Sequence, residues 1–332
     1  MDDLKIDGTN LLNHLDGTQR KSIGMIRDAV KKIWAIETPK IIHDYTDHGI
    51  DHCDRIENYA IEILKSNECN FLSRDEIYIL LCGIYFHDIG MQCDVIKYPA
   101  IRQIAESEFG AKLDSDFSSS SSSRFDIDDQ KLIRENHHLL SAAWIKYAYQ
   151  SGDTTIGPAI RTIPGHLISD VIDICKFHSK LAISDCSLSS PLDENLRRQF
   201  IAALLRFSDE LDIDANRILP ETLLNFRLPP ENVVIWWIHN RITLRFASRN
   251  SITIKIRLNP ADDVEYGQLI HRLFIVEFQT KNRQVLAILR HEGINLTISS
   301  DSSTVSDPFA EELPKYIAQQ LKDIKFQLDK KK

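Results

Sequence analysis

From the start of the chain to about residue 217, apolar residues recur at three- and four-residue spacings, and from about residue 231 they recur at every second position. The first spacing lines one face of a helix and the second lines one face of a strand. Two units are therefore expected, a helical domain over 1–217 and a smaller α+β domain over 218–332. The helical segments are GTQRKSIGMIRDAVKKIWAI, RIENYAIEILKS, RDEIYILLCGIYF, HLLSAAWIKYAY, HLISDVIDICKF and ENLRRQFIAALLRFSDELDI. In the second unit NVVIWWIHN, RITLRFAS, SITIKIRL and NLTIS read as strands, with helices over EYGQLIHRLFIVEFQ, over RQVLAILRHEG and from about residue 309. The segment 114–130, with six consecutive serines from Ser118 to Ser123, is expected to be a mobile loop, because such a run buries too little surface to fold alone.

Polar residues with chemical potential interrupt the apolar helices at five places: His52, His87-Asp88, His137-His138, His178 and Asp209. A charge or imidazole beside an apolar helix is costly to bury unless it is paired. Several such groups converging in one core can hold a divalent cation through nitrogen and oxygen donors. Taken singly, each reads as a satisfied core or capping residue; the argument for a site rests on their joint setting. His87-Asp88 ends the most apolar helix, and Gly90 reads as that helix's stop. His48 lies one turn before His52, on the same face if the segment is helical, where it contacts substrate or a second-shell water, or simply packs. His43 falls off that face. Asp51 and Arg55 are spaced for a helical salt bridge.

The formal charge of −8 argues against nucleic acid as an obligatory partner, since phosphate contacts need a cationic surface. It leaves room for a small phosphorylated ligand held by a few basic side chains, and Arg134, Lys180, Arg206 and Arg217 lie near the motifs. The six cysteines form no C-x-x-C pair, so a zinc knuckle or dithiol redox motif is not expected. The N-terminus has no signal-peptide pattern, and the longest apolar run, 77–86, is about half of a membrane span. A cytoplasmic protein with reduced thiols and no membrane partner is expected. There is no phosphate-binding loop of the G-x-x-x-x-G-K type.

Five stretches, HGIDHCDRI, GIYFHDIGM, ENHHLLSAAWI, ICKFHS and LLRFSDELDI, occur in this order over residues 40–217. In this they resemble the HD superfamily of metal-dependent phosphohydrolases. With its C-terminal extension the chain is similar to HD-type effectors of prokaryotic conflict systems (HD-CE-like), which implies a setting in antiviral defence. The resemblance implies a mainly α fold, an HD-type helical bundle followed by a smaller α+β domain that serves substrate recognition, partner docking or homo-oligomerisation. It implies metal ligands His52, His87, Asp88 and Asp209, with His52 preferred to His48 because Arg55 and Ile56 follow it in the family's pattern. His137 or His138, with His178, would hold a second ion or move protons, so the catalytic set is Asp88, His137, His138 and His178. Arg217, placed just after the last motif, is the first choice for a phosphate contact, with His48, Arg134 and Lys180 as further substrate-binding candidates. One or two divalent ions (Mn, Fe, Mg, Ni or Zn) are implied. Three functions follow: hydrolysis of a nucleotide or other small phosphorylated substrate, cleavage of single-stranded nucleic acid, or non-catalytic nucleotide sensing.

Overall fold

In the computed structural model the helices α1 (Gly17–Ile36), α2 (Ile50–Lys65), α3 (Arg74–Phe86), α4 (Pro99–Phe109), α5 (Ile127–Ser151), the single turn α6 (Gly157–Ile160), α7 (Ile168–Phe177) and α8 (Arg198–Glu210) follow one another. The structure describes residues 4–6, 10–36, 41, 48–65, 71–121, 125–213, 242–248, 250–256 and 275–301. The periodic segments of the sequence map onto α1, α2, α3, α5, α7 and α8. Helix α4, on which Ile101 and Ala105 are buried, was not among them. A two-residue pairing of β1 (Leu4–Lys5) with β2 (Phe71–Leu72) also lies within the helical half.

Helix α3 is the axis of the bundle, with every side chain from Glu76 to Phe86 buried. Ser73 and Glu76 form a reciprocal capping box at its start. The Glu76 carboxylate also accepts from Arg197 Nε at 2.8 Å, which ties the start of α3 to the start of α8. Gly83 in mid-helix costs about 1 kcal/mol relative to alanine. Its return is close packing: a Cβ there would lie 2.9 Å from Ile174 Cδ1 of α7 and 3.0 Å from Leu205 Cδ2 of α8. Three helices that carry polar clusters are thus drawn onto one axis.

The serine-rich segment is an irregular loop as far as Ser121, and it is tied to the start of α5. Ser115 and Ser120 donate to the carboxylate of Asp129 at 2.6 and 2.7 Å, and Asp126 caps α5 by accepting from the Asp129 amide. Asp129 is buried, and so are Phe117 and Phe125, which meet edge to face. Composition alone overlooked these partners, which stand beside the serine run and not within it.

Beyond α8, β3 (Ile242–Ser248) and β4 (Ser251–Ile256) pair antiparallel, and β5 (Thr297–Asp301) adds parallel to β4. Ile252 and Ile254 are buried and Thr253 between them is not, as the two-residue period predicts. Helices α9 (Val276–Lys281) and α10 (Arg283–His291) precede β5. Phe278 of α9 packs on Phe207 of α8 with ring centroids 6.2 Å apart, and Lys281 pairs with Glu210. The fold is mainly helical with a small sheet toward the C-terminus. The expected strand NVVIWWIHN, the terminal helix, His43 and Arg217 lie outside the described residues. No helix among the described residues is long and apolar enough to cross a membrane.

Candidate metal centre

Helix α3 runs out at Phe86, and the chain turns sharply through His87 and Asp88 into a single 3-10 turn, Ile89–Gln92. Asp88 sits at φ −103°, ψ 0°, in the sparsely allowed bridge region where functional side chains are often found. The turn is pinned to α5 from both sides: Ser141 Oγ donates to the His87 carbonyl at 2.6 Å and accepts from the Gly90 amide at 2.8 Å. Gly90 is therefore not the helix stop that the sequence suggested. A Cβ at Gly90 would lie 2.0 Å from the His137 carbonyl oxygen, so glycine is what allows the His-Asp turn to touch α5 at the level of His137.

Around this turn the bundle gathers His48, His52, His87, Asp88, His137, His178 and Asp209. The two oxygens of Asp88 face different groups. Oδ2 lies 2.8 Å from His48 Nδ1, 3.2 Å from His87 Nε2 and 3.7 Å from His52 Nε2. Asp209 Oδ1 completes that side, 3.3 Å from His52 Nε2 and 3.9 Å from His87 Nε2. Oδ1 of Asp88 faces the other way, 3.2 Å from His137 Nε2 and 3.5 Å from His178 Nε2. Among the described residues three groups have donor atoms mutually close enough for one ion: His48–His52–Asp88, His52–His87–Asp209 and Asp88–His137–His178. His48 precedes α2, which begins at Ile50, so it reaches Asp88 from the approach to the helix and not from its face.

The donor set suits a divalent cation. His87, His137 and His178 each use Nδ1 to bond a carbonyl three residues back, of Ile84, Arg134 and Cys175, at 2.9, 2.7 and 2.5 Å. That arrangement places the N–H on Nδ1 and leaves a lone pair on Nε2, the tautomer a metal ligand needs. The Nε2 atoms of His137 and His178 then meet at 3.0 Å with no proton to share between them, an opposition that a cation relieves. His87 Nε2 and Asp88 Oδ1 are buried without a hydrogen bond. Burial pushes the carboxyl of Asp88 up, but with no cation bound His87, His48, His137 and His178, when protonated, outweigh it and hold the group well below the usual carboxylate range. Asp209 is likewise held low, burial being outweighed by His52 and His87. The anionic form of both carboxylates is the form that binds metal.

His138 stands beside His137, the rings T-shaped at 5.6 Å, with its Nδ1 buried and not hydrogen-bonded. Burial, followed by the neighbouring His137 and His178, pushes it down to about 2, which keeps it neutral. Arg134 is exposed, and its carbonyl is what orients His137. Lys180 is exposed just beyond α7. Arg55 does not pair with Asp51: it donates to both oxygens of Asp212, from Nε at 2.8 Å and Nη2 at 3.1 Å.

Asp212 is the residue that sequence reasoning missed. It is fully buried, and its Oδ2 lies 2.6 Å from His52 Nδ1, so it orients that ring as the carbonyls orient the others. Its only signal was a place in the acidic run SDELDID, three residues after Asp209. Asp212→Asn is expected to lower affinity for the first metal by about 10–100-fold, the usual cost of an altered outer-shell partner, with little change in fold. Metal titration followed by calorimetry checks this; unchanged affinity removes Asp212 from the site.

A family model described as HD-CE matches residues 42–280, a span that takes in every one of these side chains and continues into α9. Neither the curated proteins nor the solved structures contain a match to the chain.

Proposed function

The chain belongs to the HD-CE family, and from that premise we propose that it is a metal-dependent phosphohydrolase acting on a nucleotide or another small phosphorylated substrate. The observation that carries the reading is Asp88, whose buried carboxylate offers Oδ2 to one histidine–aspartate group and Oδ1 to another. His52, His87 and Asp209 would hold one ion, with Asp88 Oδ2 beside His52 and His87, and Asp88, His137 and His178 would hold a second, from Mn, Fe, Mg, Ni or Zn. When bound, such ions supply an acidified water and neutralise charge on a phosphoryl group.

The side chains themselves do the rest. The Nδ1 bonds of His87, His137 and His178 hold their rings in one orientation, so no reorganisation is needed when substrate arrives. Asp88, at 5% side-chain exposure, and the fully buried His52 keep water away from the inner side of the site. Asp209 at 21% and His48 at 13% mark its open edge, where substrate enters. His48, stacked on Trp34 with ring centroids 6.1 Å apart, forms the rim there.

A phosphohydrolase screen over nucleotides and oligonucleotides, supplemented with Mn²⁺, tests the reading. Turnover of small phosphorylated compounds, abolished by chelation, is expected. Cleavage of single strands alone would assign a nuclease, and tight nucleotide binding without turnover would assign a sensor.

A further inference from the structure

Arg206 is a buried cation that forms no ion pair with a carboxylate among the described residues. It is 7% exposed, its Nη1 donates to the Leu181 carbonyl at 2.7 Å, and its Nε is buried with no hydrogen bond. Burial holds its pKa below the ordinary guanidinium value, and the nearby Glu210 and Asp209 only partly restore it. Neither acid forms an ion pair with it: Glu210 is taken by Lys281, and Asp209 faces His52 and His87. Leaving a buried guanidinium uncompensated is costly, and an arrangement of this kind is explained when an anion arrives from outside.

The position says which anion. Arg206 lies three residues before Asp209 on α8, hence on the same helix face as a residue of the first metal group. Its bond to Leu181 ties it to the segment that leaves α7 directly after His178, a residue of the second group. It is therefore tied both to the helix that carries Asp209 and to the segment that follows His178. Lys180, next to Leu181, brings a second positive charge to this segment, close enough to act on His138.

We propose that Arg206 is the substrate's phosphate clamp: its guanidinium fork grips the oxygens of a terminal phosphate, with Lys180 supplying the second positive charge that a phosphomonoester dianion calls for and a phosphodiester does not. The proposal rests on the phosphohydrolase reading and adds to it a substrate class, a small molecule that ends in a phosphate. Planar guanidinium is suited to such two-point recognition and a lysine ammonium is not.

The test uses the full chain and inorganic phosphate, with dimethyl phosphate as the singly charged comparison. Binding is measured by calorimetry before and after chelation, alongside metal content by elemental analysis. Wild type should bind phosphate in both states and dimethyl phosphate more weakly. Arg206→Met should lose about 10- to 100-fold in phosphate affinity, as expected for charge-assisted hydrogen bonds, while its metal content stays unchanged. Arg206→Lys keeps the charge without the fork; it should fall between the two, and it carries the test if the methionine variant does not fold. Equal phosphate affinity in wild type and variants, or no phosphate binding by wild type, overturns the clamp. Equal affinity for dimethyl phosphate overturns the monoester assignment. A chain that binds phosphate through Arg206 but never takes up metal keeps the clamp and sinks the phosphohydrolase reading, so the two failures are distinguishable.

Discussion

Asp88→Ala is expected to abolish phosphohydrolysis altogether and to leave the protein folded. The carboxylate faces both histidine sets, with Oδ2 at 3.2 Å from His87 and Oδ1 at 3.2 Å from His137. Its removal takes a ligand from both ions at once and leaves His52, His87, His137 and His178 around undercompensated cations. Losing one outer-shell partner costs about 10–100-fold in metal affinity or activity, and a shared inner ligand must cost more. Folding is spared because the neighbouring restraints are independent of the carboxylate: the Ser141 bonds and the close approach of Gly90 to α5 hold the turn. The comparison of turnover with metal stoichiometry and thermal midpoint checks all three statements. Full activity of Asp88→Ala on the true substrate would refute the metal-centre reading.

His137→Ala and His178→Ala should each remove one class of metal while the other stays bound. Both imidazoles meet Asp88 Oδ1, and neither belongs to the group formed by His52, His87 and Asp209. Turnover is then expected to fall by about 10²–10⁴-fold, the range over which positioned acid–base groups act, with the first metal's affinity almost unchanged. His138→Ala is the control. The ring lies beside the site and stays neutral, so its loss should cost packing and leave the metal count unaltered. Elemental analysis of the three variants separates the alternatives: equal metal loss in all three would mean that the pair acts as one unit.

The sequence could not choose between His137 and His138. Successive residues on a helix point about 100° apart, and which of two buried neighbours meets Asp88 depends on how α5 is rotated in the bundle. That rotation is set by the contact of Gly90 with the His137 carbonyl, a backbone proximity with no signature in a single chain. His87 and Asp88 were legible because they end an unbroken apolar run, a place where polar groups need a reason. Asp212 was not legible, since it hides in an acidic stretch and meets a partner 160 residues away. His48 would share a face with His52 only if the helix began before it, and α2 starts at Ile50. In the fold, the periodic segments found their helices and the alternating segments RITLRFAS and SITIKIRL their strands, while α4 passed unnoticed.

Three of the imidazoles take their aim from a carbonyl three residues back in the same stretch of chain. Aim of that kind is available as soon as a helical turn forms, before distant parts of the molecule have met. The rings can thus be aimed locally, independently of the apolar packing of α3, and a cation would meet a cage already built. Such a protein would not need a bound metal in order to remain folded, so it could lose and regain an ion, and with it any activity that the ion supports.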